Sequence, residues 1–493
     1  MIINQEYILG IDIGTGSTKA IACNFAGETL TSSQHYYTVS SPKPGYSEQN
    51  PEVILLAFIQ SIKDILAKLG YSPYAISFST TMHSLIAVNE NGDTLAPMMT
   101  WADSRAEDIA AKLRVTLQGT QLYRSCGTPI HAMSPLCKLT WLRENEPDFF
   151  AKAHKFISIK EYIWYFLFNE YQIDYSVASS TGMFDINTLK WNDEALKLAG
   201  VGPVKLSAPV STTMKRTDID PKATQILGLS ANTNVIIGAS DGCCANLGSF
   251  VDKPGVASLT IGTSGAVRIT SPTPVFDDDA MIFNYLLDDK TYVSGGAINN
   301  GGIVLDWLRK SFSPDASYND VFNEIATINA GSDGLIFLPY LYGERAPLWD
   351  TKTCGTFFNI KPIHTKAHFL RAGLEGICFA LYDVLQTLEK ASSPINRVHI
   401  SGGFISSEVW VQMLADITGK ELVIVQQEDA SAIGAIFLAM KALNIKPIQQ
   451  PKFDAIISPD MKAYAIYQKN FMVFKKLYKD LSETMHWAHD NLG

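Results

Sequence analysis

The sequence predicts an α/β protein in which one kind of domain is built twice, with a cleft between the copies. Three observations carry this. At 493 residues the chain is well past the size at which a single hydrophobic core stops growing. A strand, a Gly-Thr turn and a returning strand open the chain as DIGTGSTK from Asp12, and the same pattern returns as LTIGTSGA from Leu259, an internal repeat at about half the chain length. A strand, glycine turn and helix then follow at Ser401-Gly402-Gly403.

Taken in order, Tyr7 to Asp12 alternates as a buried strand does, GTGSTK turns tightly, and Ala20 to Asn24 returns before the turn at Gly27, which makes a β-hairpin with a glycine-rich tip. Pro51 to Leu69 carries apolar residues at helical spacing, with Asn50 as N-cap ahead of Pro51. Ala75 to Phe78 and Leu85 to Val88 read as strands; the Asn91-Gly92 turn and a short extended segment to Trp101 follow. Val235 to Ala239 is a buried strand ending at Ser240-Asp241-Gly242, with a small-residue helix from Cys243 to Leu247. A domain boundary falls near Gly248, so the expected units are 1–248, 249–445 and a helical extension over 446–493. In the second unit, 255–267 repeats the hairpin, and Val398-His399-Ile400 leads through Gly402-Gly403 to a helix from Trp410 to Thr418. The segment from Phe471 to Trp487 reads as a surface-docked terminal helix.

Composition narrows the function. A chain that is 46% hydrophobic and 18% charged is an ordinary packed protein, not a disordered or fibrous one. A net charge of −9 without a dense Lys/Arg run argues against a nucleic-acid partner, so any anionic ligand is bound locally. The longest apolar stretch, Ile163 to Phe168, is too short to cross a membrane, and the N-terminus has no basic n-region or cleavage site. Seven scattered cysteines without a CxxC pair read as reduced thiols in a cytoplasmic protein.

Glycines at a strand-to-strand tip let backbone amides converge on phosphate oxygens, and flanking hydroxyls and a Lys add donors and charge. One such loop is equally plain hairpin geometry. Two copies, with an acidic residue entering the first, favour phosphate, and Asp12 is then placed to hold Mg²⁺ through water against nucleotide phosphates. Ser240-Asp241 has two readings, a helix cap or a general base for a substrate hydroxyl, and spacing does not choose between them. Thr81-Met82-His83-Ser84 and Trp101-Ala102-Asp103-Ser104-Arg105 bring together an imidazole, a carboxylate, a guanidinium and an indole, the mix that polyol binding needs. Singly, His83 reads as a structural histidine and Asp103 with Arg105 as a surface ion pair. His364 and His368 have i,i+4 spacing without an adjacent Glu or a third ligand, which argues against zinc, and His486 and His489 read as solvated or packing residues.

With these residues laid out, the chain resembles the FGGY family of carbohydrate kinases, within the superfamily of actin, hexokinase and the Hsp70 ATPase domain. The resemblance spans nearly the whole length through DIGTGSTK, TMHS, WADSR, the stretch Met133 to Leu142, ASDG, TIGTSG, GG at Gly301, LPYLYGERAP, SGG and QMLAD at Gln412. It implies two actin-like (ribonuclease H-like) ATPase domains, the first holding the sugar and the first phosphate loop and the second the nucleotide. It implies ATP and Mg²⁺, with Asp241 as catalytic base, Thr15, Gly16, Ser17 and Lys19 near the ATP phosphates, and Gly262 and Thr263 meeting them from the second domain. Gly302 falls where the family contacts nucleotide, and Gly402, Gly403 and Ser407 where it lines the adenosine pocket, Ser407 replacing an Asn of some relatives. His83, Trp101, Asp103 and Arg105, with Asp241, fall in the sugar-binding half.

Within the family, TMHSL followed by TWADSR is most similar to gluconate kinases, whereas xylulose kinases carry QMHG and WND and glycerol kinases an Arg-Glu pair absent here. The expected reaction is therefore ATP plus D-gluconate giving 6-phosphogluconate, with D-xylulose or another polyol as the alternative acceptor. A sugar acid needs a partner for its carboxylate, for which Arg105 or Arg345 is the candidate. A reading of another class is a sugar-sensing or chaperone-like ATPase module on the same fold. The expected partner is a small sugar or sugar acid, with a homodimer as the assembly, and neither nucleic acid nor membrane.

Overall fold

The computed structural model describes residues 6–279, 281–425, 429–446 and 453–492. The opening hairpin is formed by β1 (Tyr7–Ile13), buried along nearly its whole length, and β2 (Ser17–Asn24), with Ile13 opposite Thr18 at the tip. The strand thus resumes at Ser17, earlier than alternation alone predicts, because Ser17, Thr18 and Lys19 also pair across to β3 (Thr29–Tyr36). α1 (Pro51–Leu69) starts where the Asn50 side chain accepts the Glu52 N–H and stops at Gly70, whose φ of 79° is the left-handed value that favours glycine. Its buried Ile54, Phe58, Ile62 and Ile65 pack with Leu9, Ile11 and Phe78 of the sheet.

β4 (Ala75–Thr80) then lies parallel to β1. After α2 (Pro135–Asn145), capped by Ser134, β5 (Lys215–Arg216) and β6 (Asn234–Ser240) complete a six-stranded sheet of order β5-β6-β4-β1-β2-β3. α3 (Asp241–Gly248) follows β6 directly.

The second half repeats the plan. β7 (Val256–Ile261) and β8 (Gly265–Ser271) form the second Gly-Thr hairpin. β9 (Phe283–Asp288), β10 (Thr291–Ile298), α4 (Gly302–Phe312) and α5 (Lys366–Ala391) lead to β11 (Arg397–Ser401), α6 (Glu408–Thr418) and β12 (Glu421–Val425). α7 (Ala430–Ala442), β13 (Phe453–Ile457) and α8 (Met461–Leu492) end the chain. The sheet order is β9-β10-β8-β7-β11-β12-β13. β7 is antiparallel to β8 and parallel to β11, which is parallel to β12, just as β1 is antiparallel to β2 and parallel to β4, which is parallel to β6.

Two features cross the expected sequence boundaries. The tail, expected to be helical, opens with β13, which pairs with β12 as the edge of the second sheet. α7, which belongs to the second half by position, packs Ala432, Ile433 and Ile436 against Ile8, Ile21 and Ile236 of the first sheet. Glycine permits that approach: a Cβ on Gly434 would collide with the Cys244 carbonyl of α3, and one on Gly248 with the Ala430 carbonyl of α7. All seven cysteines are free thiols, six of them buried. Among the described residues no helix is long and apolar enough to cross a membrane.

Candidate active site

The carboxyl ends of parallel strands deliver the site, as the geometry of open α/β sheets favours. β1 ends at the first Gly-Thr loop, β4 runs into Thr81-Met82-His83, and β6 runs into Ser240-Asp241. From the second sheet, β7 ends at Gly262 and β11 at Gly402. Two cavities lie between these ends, one of about 330 Å³ and one of about 920 Å³, and Thr260 lines both.

Asp241 stands in the smaller cavity, and the local structure explains how. A bulge in β6 around Gly238, whose φ is 72°, shifts the register against β4 by one residue. Ser240 then points inward as the N-cap of α3, its Oγ accepting the Cys243 N–H, and Asp241 becomes the first helical residue. The cap and the candidate base are therefore different residues. The Asp241 carboxylate accepts the Gly242 N–H at 2.7 Å. Burial pushes its pKa above the ordinary value, while Arg268, that N–H and the buried Lys160 beneath hold it down. Lys160 is itself fixed by Asp174 at 2.7 Å and by the Ala239 carbonyl at 3.0 Å.

His83 and Trp101 line the same cavity with Arg268, Tyr285, Arg345 and Trp349. His83 sits at a positive φ of 64°. Its Nδ1 lies 2.8 Å from the Ser180 carbonyl, which can only accept, so Nδ1 carries the proton and Nε2 is left as an acceptor facing the Tyr285 hydroxyl at 3.3 Å. Burial, with Lys138 and Arg345 nearby, lowers its pKa to about 3, so the ring is neutral. Trp101 donates its indole N–H to Thr15 Oγ1 at 3.0 Å, which ties this cavity to the first phosphate loop. Under both loops lies Lys138 of α2, fully buried, donating to the His83 and Thr100 carbonyls at 2.6 Å each.

The larger cavity is lined by Asp12, Lys19, Gly402, Gly403, Asp429 and Ser431 among others. Lys19 is ion-paired with Asp429. One oxygen of Asp12 accepts the Ser79 hydroxyl at 2.7 Å. Burial first, then Asp241 and Asp429, push its pKa up to about 7 against the pull of Ser79 and Lys19. Its other oxygen lies 3.8 Å from where a Cβ on Gly14 would stand, so the glycine leaves it uncovered. A half-buried carboxylate in an excess of negative charge, with one free oxygen, fits a hard divalent cation that keeps most of its other ligands from water or phosphate.

The remaining candidate residues fall in three places. Gly16 and Ser17 form the first tip, with the Ser17 hydroxyl accepting from Gln34 at 2.9 Å, and Gly262 and Thr263 form the exposed second tip. Gly302 does not line a cavity: its N–H donates to the Gly262 carbonyl at 2.8 Å and, with Ile303 N–H on the Thr263 carbonyl at 3.1 Å, pins the second tip to the start of α4. Ser407 is the buried N-cap of α6, its Oγ accepting the Trp410 N–H, so the hydroxyl is turned away from the cavity.

Asp103 and Arg105 are not brought into the smaller cavity, nor are they a surface pair. Arg105 donates to Asp103 at 2.8 and 2.7 Å and to Glu48 at 2.5 Å, and its guanidinium rests 3.5 Å from the Tyr46 ring centre. This buried cluster braces the loop that carries Trp101. His368 likewise serves locally, accepting the Thr365 N–H at the start of α5, and His486, expected to be solvated or packing, pairs with Asp350 at 2.7 Å. Sequence reasoning missed Arg268, Lys138 and Lys160 as site residues. Arg268 and Lys138 had a signal, a lone cation inside an apolar strand or helix, GAVRIT for Arg268 and PLCKLTWL for Lys138, whereas Lys160 is followed by Glu161 and had none.

Residues 7–248 match the N-terminal domain of the FGGY family of carbohydrate kinases and residues 257–443 match its C-terminal domain. A gluconokinase of Bacillus subtilis (strain 168) is 43% identical over 463 residues, covering 92% of this chain and 90% of its own. Two solved structures from Lactobacillus acidophilus, described as a gluconate kinase and as a ligand-bound xylulose kinase, each superpose with a TM-score of 0.93 at 34% identity, covering 97% of this chain and 98% of theirs.

Proposed function

Because the chain belongs to the FGGY family of carbohydrate kinases, we propose that it transfers the γ-phosphoryl group of ATP to the terminal hydroxyl of D-gluconate, giving 6-phospho-D-gluconate and ADP. The observation that carries the reading is Asp241, released from capping by Ser240 and facing a cavity whose other charged walls are Arg268 and Arg345.

Asp241 accepts the hydroxyl proton as that oxygen bonds to the γ-phosphorus, the bond to the β-phosphate oxygen breaks, and ADP leaves with the electron pair. Lys160, Arg268 and the first turn of α3 favour the ionised carboxylate that a base requires, against the opposing effect of burial. Neutral His83 takes the Tyr285 hydroxyl on Nε2, which leaves the Tyr285 oxygen to accept from a substrate hydroxyl, and Trp101 offers its face to the carbon chain. The larger cavity takes the nucleotide, with Gly402 and Gly403 on its wall, and the two Gly-Thr tips meet its phosphates from outside that lining. Asp12 would hold Mg²⁺, which would supply charge neutralisation for the transferred phosphoryl group. The 43% identical gluconokinase supports gluconate over xylulose as acceptor, and a cytoplasmic homodimer is the setting we infer, checked by light scattering and fractionation.

An ATP-coupled assay across gluconate, xylulose, ribulose and glycerol tests the assignment. Gluconate should give the highest kcat/KM, and Asp241→Asn should lower kcat about 10²- to 10⁴-fold, the range of a lost general base. Turnover of xylulose without gluconate overturns the acceptor, and full activity in Asp241→Ala overturns the base.

A further inference from the structure

We propose that Arg268 is the residue that recognises the substrate's carboxylate and thereby sets selectivity for a sugar acid over the matching neutral polyol. This rests on the sugar-acid reading above and deepens it.

Two arginines line the acceptor cavity, and their surroundings differ. Arg345 is already engaged by the protein. Its Nε donates to Asn299 Oδ1 at 2.8 Å and its Nη2 to the Ile298 carbonyl at 3.1 Å, its guanidinium lies 5.2 Å from the Trp101 ring centre, and the carboxylate of Glu344 adds opposite charge. It serves as a wall whose hydrogen-bonding demand is largely met.

Arg268 has no such support. It leaves β8 on the same face as Ala266, two residues earlier, and both line the cavity. Its Nε is buried and has no hydrogen-bond partner among the described residues. Asp241 contributes to its field without closing an ion pair. The guanidinium fits beside Gly242, where a Cβ would stand 3.5 Å from Nε. A buried guanidinium donor without an acceptor is costly, and buried polar groups left unmatched in one state of a protein point to a ligand that matches them in another. The chemistry that satisfies a planar fork of N–H donors is a carboxylate or a phosphoryl group. Within the acceptor cavity the carboxylate is the group that distinguishes an aldonic acid from a polyol.

The test compares gluconate with glucitol, which carries CH₂OH in place of the carboxylate, for wild type, Arg268→Met, Arg268→Lys and Arg345→Met. Removing Arg268 should cut the gluconate-over-glucitol ratio of kcat/KM about 30- to 100-fold, as expected for one lost charge-assisted pair, beyond any loss of kcat that both acceptors share because Asp241 is less ionised. Arg268→Lys, which keeps the charge but not the fork, should retain part of the ratio, and it stands in should Arg268→Met fail to melt cooperatively. If Arg268→Met lowers kcat on both acceptors and leaves the ratio intact, the arginine faces the transferred phosphoryl group and the proposal is wrong. It is equally wrong if Arg345→Met erases the ratio while Arg268→Met does not. A wild type that phosphorylates glucitol or xylulose but no aldonate overturns the functional reading itself, a result distinct from either of these.

Discussion

The two cavities share a wall at Thr260 yet carry opposite charge. The larger cavity, proposed for the nucleotide, presents Asp12, Asp429 and Asp454, and its one lining cation among the described residues, Lys19, is tied to Asp429. The smaller cavity, proposed for the acceptor, presents Arg268 and Arg345, with Lys138 buried below, against Asp241, its one carboxylate among the described residues, and a neutral His83. The difference follows from what each side receives. Nucleotide phosphates arrive with a divalent cation, and carboxylates on this wall suit that cation; a sugar acid arrives bare, so a positive wall suits it. The duplicated hairpins show the same division. Asp12 of the first occupies the place that Thr260 takes in the second, so the backbone was repeated and the charge was not.

The largest expected effect breaks that pairing directly. Asp12→Asn should lower kcat by about 10³-fold, since it removes the carboxylate proposed to hold the cation against the phosphates, with excess Mg²⁺ recovering little. Thr260→Val, at the equivalent place in the second hairpin, should cost less than about tenfold. Steady-state kinetics over a range of Mg²⁺ concentrations decides it. Equal losses in the two variants would mean that the hairpins share the metal chemistry and that the asymmetry is only one of sequence.

Much of this division was legible before any coordinates. The hairpins, the Asn50 cap and the strand running into Ser240-Asp241 are local features, written in alternation, glycine placement and cap residues. What was not legible depends on partners distant in sequence. Whether Asp241 caps a helix or faces a cavity turned on a one-residue bulge at Gly238, which spacing does not reveal. Arg105 looked like a ligand of the sugar because its partner Glu48, 57 positions away, could not be seen to occupy it. Ser407 was placed at the adenosine pocket by family resemblance, which does not show that its hydroxyl caps α6. Arg268 and Lys138 were passed over because a single cation in an apolar run signals burial without its purpose, and only the fold shows what it faces.

A smaller effect sharpens the comparison from the acceptor side. Lys138→Met removes two bonds to the carbonyls of His83 and Thr100, leaving the first without that donor and the second with the Asp103 N–H alone. Stability should fall by about 2 kcal/mol, the cost of an unmatched buried carbonyl. The gluconate KM should rise about tenfold as His83 and Trp101 lose their common anchor, while the ATP KM moves less than about twofold. An ATP KM that rises in step with the gluconate KM would show that Lys138 supports the whole cleft and not its acceptor half.

The smallest effect is a pair of pH slopes of opposite sign, read without metal or nucleotide. Asp12 is raised to about 7, by burial first and then by neighbouring carboxylates. The folded state therefore keeps a proton that the unfolded chain releases above about 4. Its contribution to stability is fully present below that value and is lost as pH rises through 7. Lys138 is lowered to about 7, chiefly by burial. There the unfolded chain holds the proton up to about 10.4, so the contribution is present above that value and is lost as pH falls through 7. Relative to wild type, Asp12→Asn should gain about 1–2 kcal/mol between pH 4 and 8, allowing for solvent screening at a half-buried site. Lys138→Met should instead lose ground by a similar amount between pH 7 and 10, on top of its constant deficit. Denaturant melts in EDTA across pH 4 to 10 measure both. Difference curves that run parallel to the pH axis would mean that neither cavity holds its charge against burial, and the opposition between the two sides would then be a matter of arrangement without energetic weight.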